Sequence, residues 1–219
     1  MVSRVASQYY SAVPLRLVDH PLAQDALTEL RNERTTPLAF RRAARRISTV
    51  LAIEALRDLP SSATAVQTPL GPAAGRALEG DVVLVPVLRA GLGMLDAILE
   101  LIPAARVGHL GLQRDESTAV AEQYYSRLPA EIARSYVLLL DPMLATGGSA
   151  AAGITLIKAA GARNIRMICI VAAPEGLALL ETMHPDVRVY TPVVDKELNA
   201  RKFIVPGLGD FGDRLYGTA

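Results

Sequence analysis

Two stretches of the chain carry apolar residues at the three-and-four spacing of amphipathic helices. The first follows Pro21 and the second runs from Phe40 to Leu51. From residue 82 onward, short β-branched runs alternate with helical segments. The predicted strands cover residues 82–88, 106–112, 137–141, 165–173 and 187–194, and the predicted helices cover residues 91–101, 148–160 and 176–183. This alternation predicts an α/β fold in which helices flank a mostly parallel sheet.

Length and composition fit one globular domain spanning residues 1–219, in which residues 1–12 form a flexible extension. Lys and Arg (23) nearly balance Asp and Glu (22), so no global charge favours nucleic acid or an anionic membrane as partner. The single cysteine, Cys169, lies in an apolar run and is interpreted as a buried hydrophobe. No signal peptide or membrane span is apparent, and we therefore expect a cytoplasmic protein.

The strongest local signal is the segment from Asp141 to Ser149, where an apolar strand meets an acid and a small-residue turn that opens a helix. Gly147 and Gly148 let backbone amides approach a ligand, and a helix start favours anions. Thr146 and Ser149 add hydroxyl donors, while Asp141 can accept from ribose hydroxyls. The segment is neither a Walker loop nor a dinucleotide fingerprint. It predicts a phosphate site, with an ordinary capped turn as the alternative.

Two further segments point to the same edge of the sheet. Arg89 and Gly91 follow the strand at residues 82–88 and suit a second anion, although a lone arginine there is more often a surface ion pair. Near the C-terminus, residues 203–213 are too glycine-rich for regular structure, and apolar residues bracket them. Such a loop can read a planar base through its backbone, although plain turns often share this composition.

Other charged and titratable residues receive structural interpretations. Arg41, Arg42, Arg45 and Arg46 fit a solvated or intersubunit helix face better than an RNA patch, because no aromatic residues are interleaved with them. His20, His109 and His184 lack the spacing of metal ligands, which favours structural roles for them.

Several motifs in order resemble the uracil phosphoribosyltransferase family, within the type I phosphoribosyltransferases. The motifs outside the loops above are His20-Pro-Leu, Arg57-Asp-Leu-Pro60, Tyr124-Tyr-Ser-Arg-Leu-Pro129, Ala172-Ala-Pro-Glu-Gly176, His184-Pro-Asp186 and Pro206-Gly-Leu-Gly-Asp210. Most type I enzymes carry two adjacent acids at the head of the phosphate loop. Here the second position is Pro142, a replacement similar to that of the uracil branch. The resemblance implies the type I fold with N-terminal helices and a small C-terminal hood that binds the base.

The resemblance also implies a reaction in pyrimidine salvage: phosphoribosyl pyrophosphate (PRPP) and uracil give UMP and pyrophosphate. The implied PRPP-binding residues are Arg89, Arg114, Asp141, Pro142, Met143, Leu144, Ala145, Thr146, Gly147, Gly148, Ser149 and Asp210. The implied uracil-binding residues are Ile204, Gly209, Asp210 and Phe211, and the implied catalytic residues are Arg89, Arg114 and Asp210. Gln113, Ala200 and Phe211 depart from the residues common in the family.

The resemblance further implies Mg²⁺ as cofactor, held mainly through substrate oxygens, with no metal-binding residues of the chain's own. It implies GTP as an allosteric effector and a homodimer or homotetramer. We interpret the polar residues 114–129, which include Glu116, as a lid that excludes water. A regulatory RNA-binding protein and a non-catalytic subunit on the same fold are the alternatives. The near-neutral charge and Pro142 count against the RNA-binding protein, and the intact loops count against the subunit.

Overall fold

A computed structural model describes residues 15–114 and 121–218, with only the backbone described for Arg114 and Ala121. The predicted extension at residues 1–12 lies outside this range. In chain order the strands are β1 (Leu15–Leu17), β2 (Ser61–Thr68), β3 (Gly71–Leu78), β4 (Val82–Leu88), β5 (Arg106–Val107), β6 (His109–Arg114), β7 (Ala121–Arg127), β8 (Tyr136–Leu140), β9 (Met143–Leu144), β10 (Asn164–Ile168), β11 (Val171–Ala172), β12 (Arg188–Thr191), β13 (Glu197–Leu198) and β14 (Ile204–Val205). The helices are α1 (Pro21–Arg31), α2 (Pro37–Ala55), α3 (Leu92–Leu101), α4 (Gly148–Ala159), α5 (Pro174–Met183) and α6 (Phe211–Tyr216), with a short 3₁₀ helix at Ala130–Arg134.

The central sheet confirms the predicted α/β architecture. Its strand order is β1-β12-β10-β8-β4-β6-β7, and β5 also pairs with β4. Neighbouring strands are parallel except β6 and β7, which are antiparallel. The chain continues from β4 to β6 on one side and later places β8 on the other side. The carboxyl ends of β4 and β8 therefore form the switch point at which open α/β sheets bind ligands.

Both faces of the sheet are covered, because successive side chains of a strand point to opposite faces. Leu84, Leu138 and Leu140 are buried in the core cluster that includes α1, α2, α3 and α6. Val83 and Leu139 are buried in the cluster that includes α4 and α5. This double burial explains why β4 and β8 read as continuous apolar runs rather than as alternating patterns.

Several predicted elements differ from the structure. The predicted strand at residues 106–112 divides into β5 and β6 around Gly108, whose ideal Cβ position lies 2.9 Å from Leu128 Cδ2. The predicted strand at residues 165–173 divides into β10 and β11, and α5 begins two residues before the predicted start. The prediction that residues 203–213 lack regular structure is wrong, because β14 and α6 lie there. The hairpin of β2 and β3 was not predicted.

Candidate active site

The Asp141–Ser149 segment, here called the phosphate loop, leaves the carboxyl end of β8 and leads into α4. Its backbone is tied to the neighbouring strand connection: the Asp141 N–H donates to the Ile168 carbonyl (3.2 Å), and the Ala173 N–H donates to the Leu144 carbonyl (2.8 Å). The loop surrounds a small cavity of about 100 Å³. The cavity is lined by Asp141, Met143, Leu144, Ala145, Thr146, Gly147, Gly148, Ser149 and Ala150. The structure thus brings together every predicted phosphate-loop residue except Pro142 around one cavity.

The two glycines of the loop have different roles. Gly147 has φ +84°, in the left-handed region, and a Cβ there would lie 2.8 Å from the carbonyl oxygen of Gly176. Gly176 is equally restricted, because its Cβ would lie 2.6 Å from the Ala145 carbonyl oxygen. A Cβ on Gly148 would meet nothing closer than Thr146 Oγ1, at 3.8 Å. Gly147 therefore allows the loop to pack on α5, whereas the space beside Gly148 is open. That Gly148 keeps a side chain away from a ligand stays a prediction.

Asp141 occupies a desolvated position at the head of this loop. Burial raises the pKa of its carboxyl to about 6, and the hydrogen bond from the Met143 backbone N–H acts in the opposite direction. That bond joins Met143 N to Asp141 Oδ1 over 3.3 Å. A carboxylate in this environment favours a partner that donates hydrogen bonds, such as a vicinal diol.

The turn after β4 carries Arg89 and Gly91 to the same edge of the sheet. Gly91 is required there, because a Cβ would lie 2.3 Å from the carbonyl oxygen of Leu140, the last residue of β8. The Arg89 guanidinium is largely exposed and faces Asp213 Oδ1 at 3.5 Å. The Leu88–Arg89 peptide bond is cis. The arginine turn and the phosphate loop therefore meet at the ends of adjacent strands.

Asp210 and Arg89 flank the start of α6. Asp210 caps this helix, and its Oδ1 accepts from the Asp213 N–H at 2.8 Å. The ideal Cβ position of Gly212 lies 3.3 Å from Asp210 Oδ1 and 4.0 Å from an Arg89 terminal nitrogen. Tyr216 donates a hydrogen bond from its hydroxyl to the Arg89 carbonyl (3.4 Å). An acid, a guanidinium and backbone groups thus share one end of the sheet.

The C-terminal hood consists of β13, β14 and the loop into α6. Ile204 pairs with Leu198, and Gly209 has φ +80°. The Phe211 side chain is 1% exposed and packs edge-on against Phe40, with 5.1 Å between ring centroids. This residue departs from the family's common small residue, yet its side chain belongs to the core. Only its backbone remains for contact with a ligand.

Two arginines that the sequence analysis did not single out secure the hood. Arg214 donates to the carbonyls of Leu208 (2.7 Å), Asn32 (2.6 Å) and Leu30. Arg31 pairs with the buried carboxylate of Asp195. Sequence patterns did not reveal these roles, because each arginine has partners that lie far away in the sequence.

The structure describes only part of the predicted lid. β6 ends at Arg114, of which only the backbone is described, and residues 115–120, including Glu116, lie outside the described residues. From the rest of that segment, β7 forms the sheet edge, with Tyr124 and Tyr125 substantially exposed. Gln113 is exposed as well.

His20, His184 and Cys169 make the contacts of structural residues. His20 caps α1, with Nδ1 accepting from the Leu22 N–H at 3.1 Å. His184 is buried, and its Nε2 lies 3.0 Å from the Ala151 carbonyl oxygen. Cys169 is fully buried, and burial raises the pKa of its thiol to about 12.

Two arginines of α2 form ion pairs with neighbouring helices of the same chain. Arg46 pairs with Asp25 and Glu29 of α1, and Arg45 pairs with Glu100 of α3. None of the described helices is long and apolar enough to cross a bilayer. Within residues 15–114 and 121–218, no three His, Cys, Asp or Glu side chains group as a metal site would require.

Comparison with known proteins assigns this arrangement to a family. The family model for uracil phosphoribosyltransferase matches residues 17–218. The chain is 49% identical over 203 residues to the uracil phosphoribosyltransferase of Dictyoglomus thermophilum, covering 92% of this chain and 98% of that protein. It is also 49% identical over 205 residues to the uracil phosphoribosyltransferase of Thermus thermophilus, covering 93% and 99%.

Solved structures show the same fold. A protein from Aquifex aeolicus superposes with a TM-score of 0.89 at 36% identity, covering 94% of this chain and 99% of that one. A hypoxanthine-guanine phosphoribosyltransferase from Bacillus anthracis superposes with a TM-score of 0.52 at 10% identity, covering 73% and 80%. The second likeness shows only a shared fold.

Proposed function

Because this chain belongs to the uracil phosphoribosyltransferase family, we propose that it transfers the phosphoribosyl group of PRPP to N1 of uracil. The bond between the anomeric carbon and the pyrophosphate oxygen breaks, the bond to N1 forms, and the N1 proton is released. The family and the α/β fold expected from the sequence are confirmed. The observation that carries the proposal is the meeting of the phosphate loop, the arginine turn and the hood at the ends of β4 and β8.

The phosphate loop suits the 5-phosphate of PRPP. The amide of Gly148 opens α4, where unpaired N–H groups and the helix dipole favour an anion. The hydroxyls of Thr146 and Ser149 line the same cavity and can donate further bonds. The Asp141 carboxylate would repel a phosphate dianion and accept bonds from the ribose hydroxyls instead.

Arg89 and Arg114 are proposed to stabilise the pyrophosphate as it departs. Negative charge grows on the leaving oxygens while positive charge grows on the ribose ring, so catalysis consists mainly of positioning and electrostatic stabilisation. Asp213 lies 3.5 Å from Arg89 in an exposed pair, so the guanidinium can exchange this partner for pyrophosphate at little cost. Asp210, across Gly212 from Arg89, is proposed to contact the phosphoribosyl substrate.

Uracil is proposed to bind against the backbone of Ile204 and of Gly209 to Phe211. The burial of the Phe211 side chain supports this mode, because it leaves the backbone to reach a base, and the Phe211 N–H opens α6, where it has no partner within the helix. Backbone groups that hydrogen-bond both carbonyls and N3–H of uracil would leave buried groups unpaired when cytosine enters.

Mg²⁺ is proposed to be held mainly by PRPP oxygens and water, where it would supply positive charge to the departing pyrophosphate. The carboxylates that the site could offer to such an ion are Asp141, on the phosphate loop, and Asp210, across Gly212 from Arg89. GTP as an effector and a cytoplasmic location remain predictions. Nucleotide titration of the activity would test the effector, and cell fractionation would test the location.

We also propose a homo-oligomer, supported by the arm that β2 and β3 form. Over Ser61–Leu78 these strands pair with each other, and most of their residues are exposed. Leu70, between the two strands, is fully exposed. Leu78 is 63% exposed and Val66 is 50% exposed. An apolar arm of this kind gains stability when another subunit covers it.

A base panel tests the proposed reaction. PRPP with uracil should give UMP, whereas cytosine, orotate and purines should react at least about a hundredfold more slowly by kcat/KM. The assay follows nucleotide and pyrophosphate formation together. Equal kcat/KM for cytosine and uracil would contradict the backbone mode of recognition.

A further inference from the structure

A largely buried ion pair lies behind the hood, where Arg31 at the end of α1 meets Asp195 in the connection between β12 and β13. Arg31 NH2 donates to Asp195 Oδ1 at 2.6 Å, and Arg31 NH1 donates to Asp195 Oδ2 at 2.9 Å. The Asp195 side chain is 4% exposed and the Arg31 side chain is 24% exposed. The two parallel hydrogen bonds fix the relative orientation of the two side chains. Removing either partner would leave an uncompensated charge in a largely buried position.

The same pair binds both backbone polar groups of one residue, Gly207. The Gly207 N–H donates to Asp195 Oδ2 at 2.8 Å, and the Gly207 carbonyl accepts from Arg31 NH1 at 2.8 Å. Gly207 has φ +57°, and a Cβ there would lie 2.1 Å from the Ile204 carbonyl oxygen. Only glycine therefore fits at this position, and the ion pair holds its two backbone polar groups.

The position of Asp195 is in turn set by β11, which pairs with β9 in a separate two-stranded sheet. The Asp195 N–H donates to the carbonyl of Ala172, at the end of β11, at 2.8 Å. Arg31 lies in the last turn of α1, a helix packed into the core. The pair thus connects two rigid elements to a single glycine of the loop.

We propose that Arg31 and Asp195 are positioning residues for uracil. Gly207 lies between Ile204 and Gly209, whose backbones are proposed to read the base, so this inference rests on the proposed function. A buried ion pair costs desolvation energy that apolar residues would not, which favours a role in fixing one geometry over a role in bulk stability. Backbone recognition needs such support, because no side-chain rotamer can compensate for a displaced peptide unit.

Two conservative variants test the inference. Asp195→Asn turns one acceptor oxygen into an NH₂ group, which then faces a donor of Arg31 or Gly207. Arg31→Lys keeps the charge but lacks the planar fork that bonds Asp195 and Gly207 together. The matched control is Arg46→Lys, the same change in an arginine that pairs with Asp25 and Glu29 of α1 on the exposed surface.

The decisive measurement compares a ligand that carries the base with one that lacks it. Calorimetry should show UMP affinity reduced by about tenfold or more in both variants, with ribose 5-phosphate affinity within about twofold of wild type. KM for uracil should rise while KM for PRPP stays constant, and Arg46→Lys should change neither. Thermal unfolding establishes that the variants are folded, and Arg31→Lys provides the test if Asp195→Asn does not fold.

The outcomes separate this inference from the proposed function. If folded Arg31→Lys keeps the wild-type ratio of UMP to ribose 5-phosphate affinity, the positioning role is wrong while the base site stands. Parallel loss of both affinities would mark the pair as merely structural and would also overturn the inference. If wild-type protein binds UMP no more tightly than ribose 5-phosphate, the base site itself fails, and the inference fails with it.

Discussion

The free energy of unfolding should depend on pH through Asp141. Burial raises the pKa of this carboxyl from 3.8 to about 6. At roughly 1.36 kcal/mol per pKa unit, ionisation in the folded protein costs at most about 3 kcal/mol more than in the unfolded chain. Because the folded pKa is the higher one, the contribution favours folding below about pH 4 and is lost as the pH rises through 6.

Asp141→Asn removes this ionisation while its amide oxygen can still accept from the Met143 N–H. The variant should therefore be more stable than wild type at pH 8, by up to about 3 kcal/mol, and the difference should vanish near pH 4. Urea unfolding without ligands, at several pH values between these limits, measures the difference directly. The same variant should lose turnover, because an amide holds the ribose hydroxyls less firmly than a carboxylate as charge develops on the ring.

Asp186→Asn provides a control of opposite sign. The hydrogen bond from Lys158 lowers the pKa of Asp186, and the partners are 2.6 Å apart. Its contribution is present above the unfolded pKa and fades as the pH falls, so this variant should be less stable than wild type at neutral pH. If the free energies of unfolding of Asp141→Asn and wild type differ by a constant amount from pH 4 to 8, burial does not raise the pKa of Asp141.

The remaining predictions concern the loops and the arm. Gly148→Val should weaken binding of UMP and PRPP together, because the added side chain would occupy space proposed for the 5-phosphate. The thermal transition should not change, because no protein atom lies close to that space. Unchanged UMP affinity by calorimetry would contradict the phosphate site. Gly147→Ala should instead lower the thermal transition, because its Cβ would meet the neighbouring backbone. Arg89→Ala should lower kcat/KM by about two to three orders of magnitude, whereas Asp213→Asn should stay within about threefold, since their pair is exposed. Leu70→Asp should dissociate the oligomer in light scattering, while a charge at Leu38, an exposed apolar residue of α2, should not; a monomeric wild type would refute the assembly.

The sequence predicts the centre of this fold well, for a physical reason. β4 and β8 are buried on both faces, so their apolar runs and the turns that follow them stand out in the sequence. The phosphate loop could be located for the same reason, since ligands bind where such strands end.

The parts that escaped prediction depend on contacts between distant residues. The Ser61–Leu78 arm has small residues and no buried face, so neither helical nor alternating periodicity marks it. α6 was missed because the glycines around it suggest a loop, although buried Phe211 and Leu215 pack it into the core. The pair of Arg31 and Asp195 joins residues 164 positions apart, which no local pattern reveals.

The backbone contact between Gly147 and Gly176 divides one functional unit between two separate stretches of sequence. The phosphate loop keeps its shape only while both positions lack a side chain, because each Cβ would strike the other segment's backbone. A substitution at Gly176, outside the loop and on a different helix, should therefore distort the loop as strongly as one within it. For protein engineering, the unit to transplant or preserve is this pair of segments together, and a graft of residues 141–149 alone would lack the surface on which the loop rests.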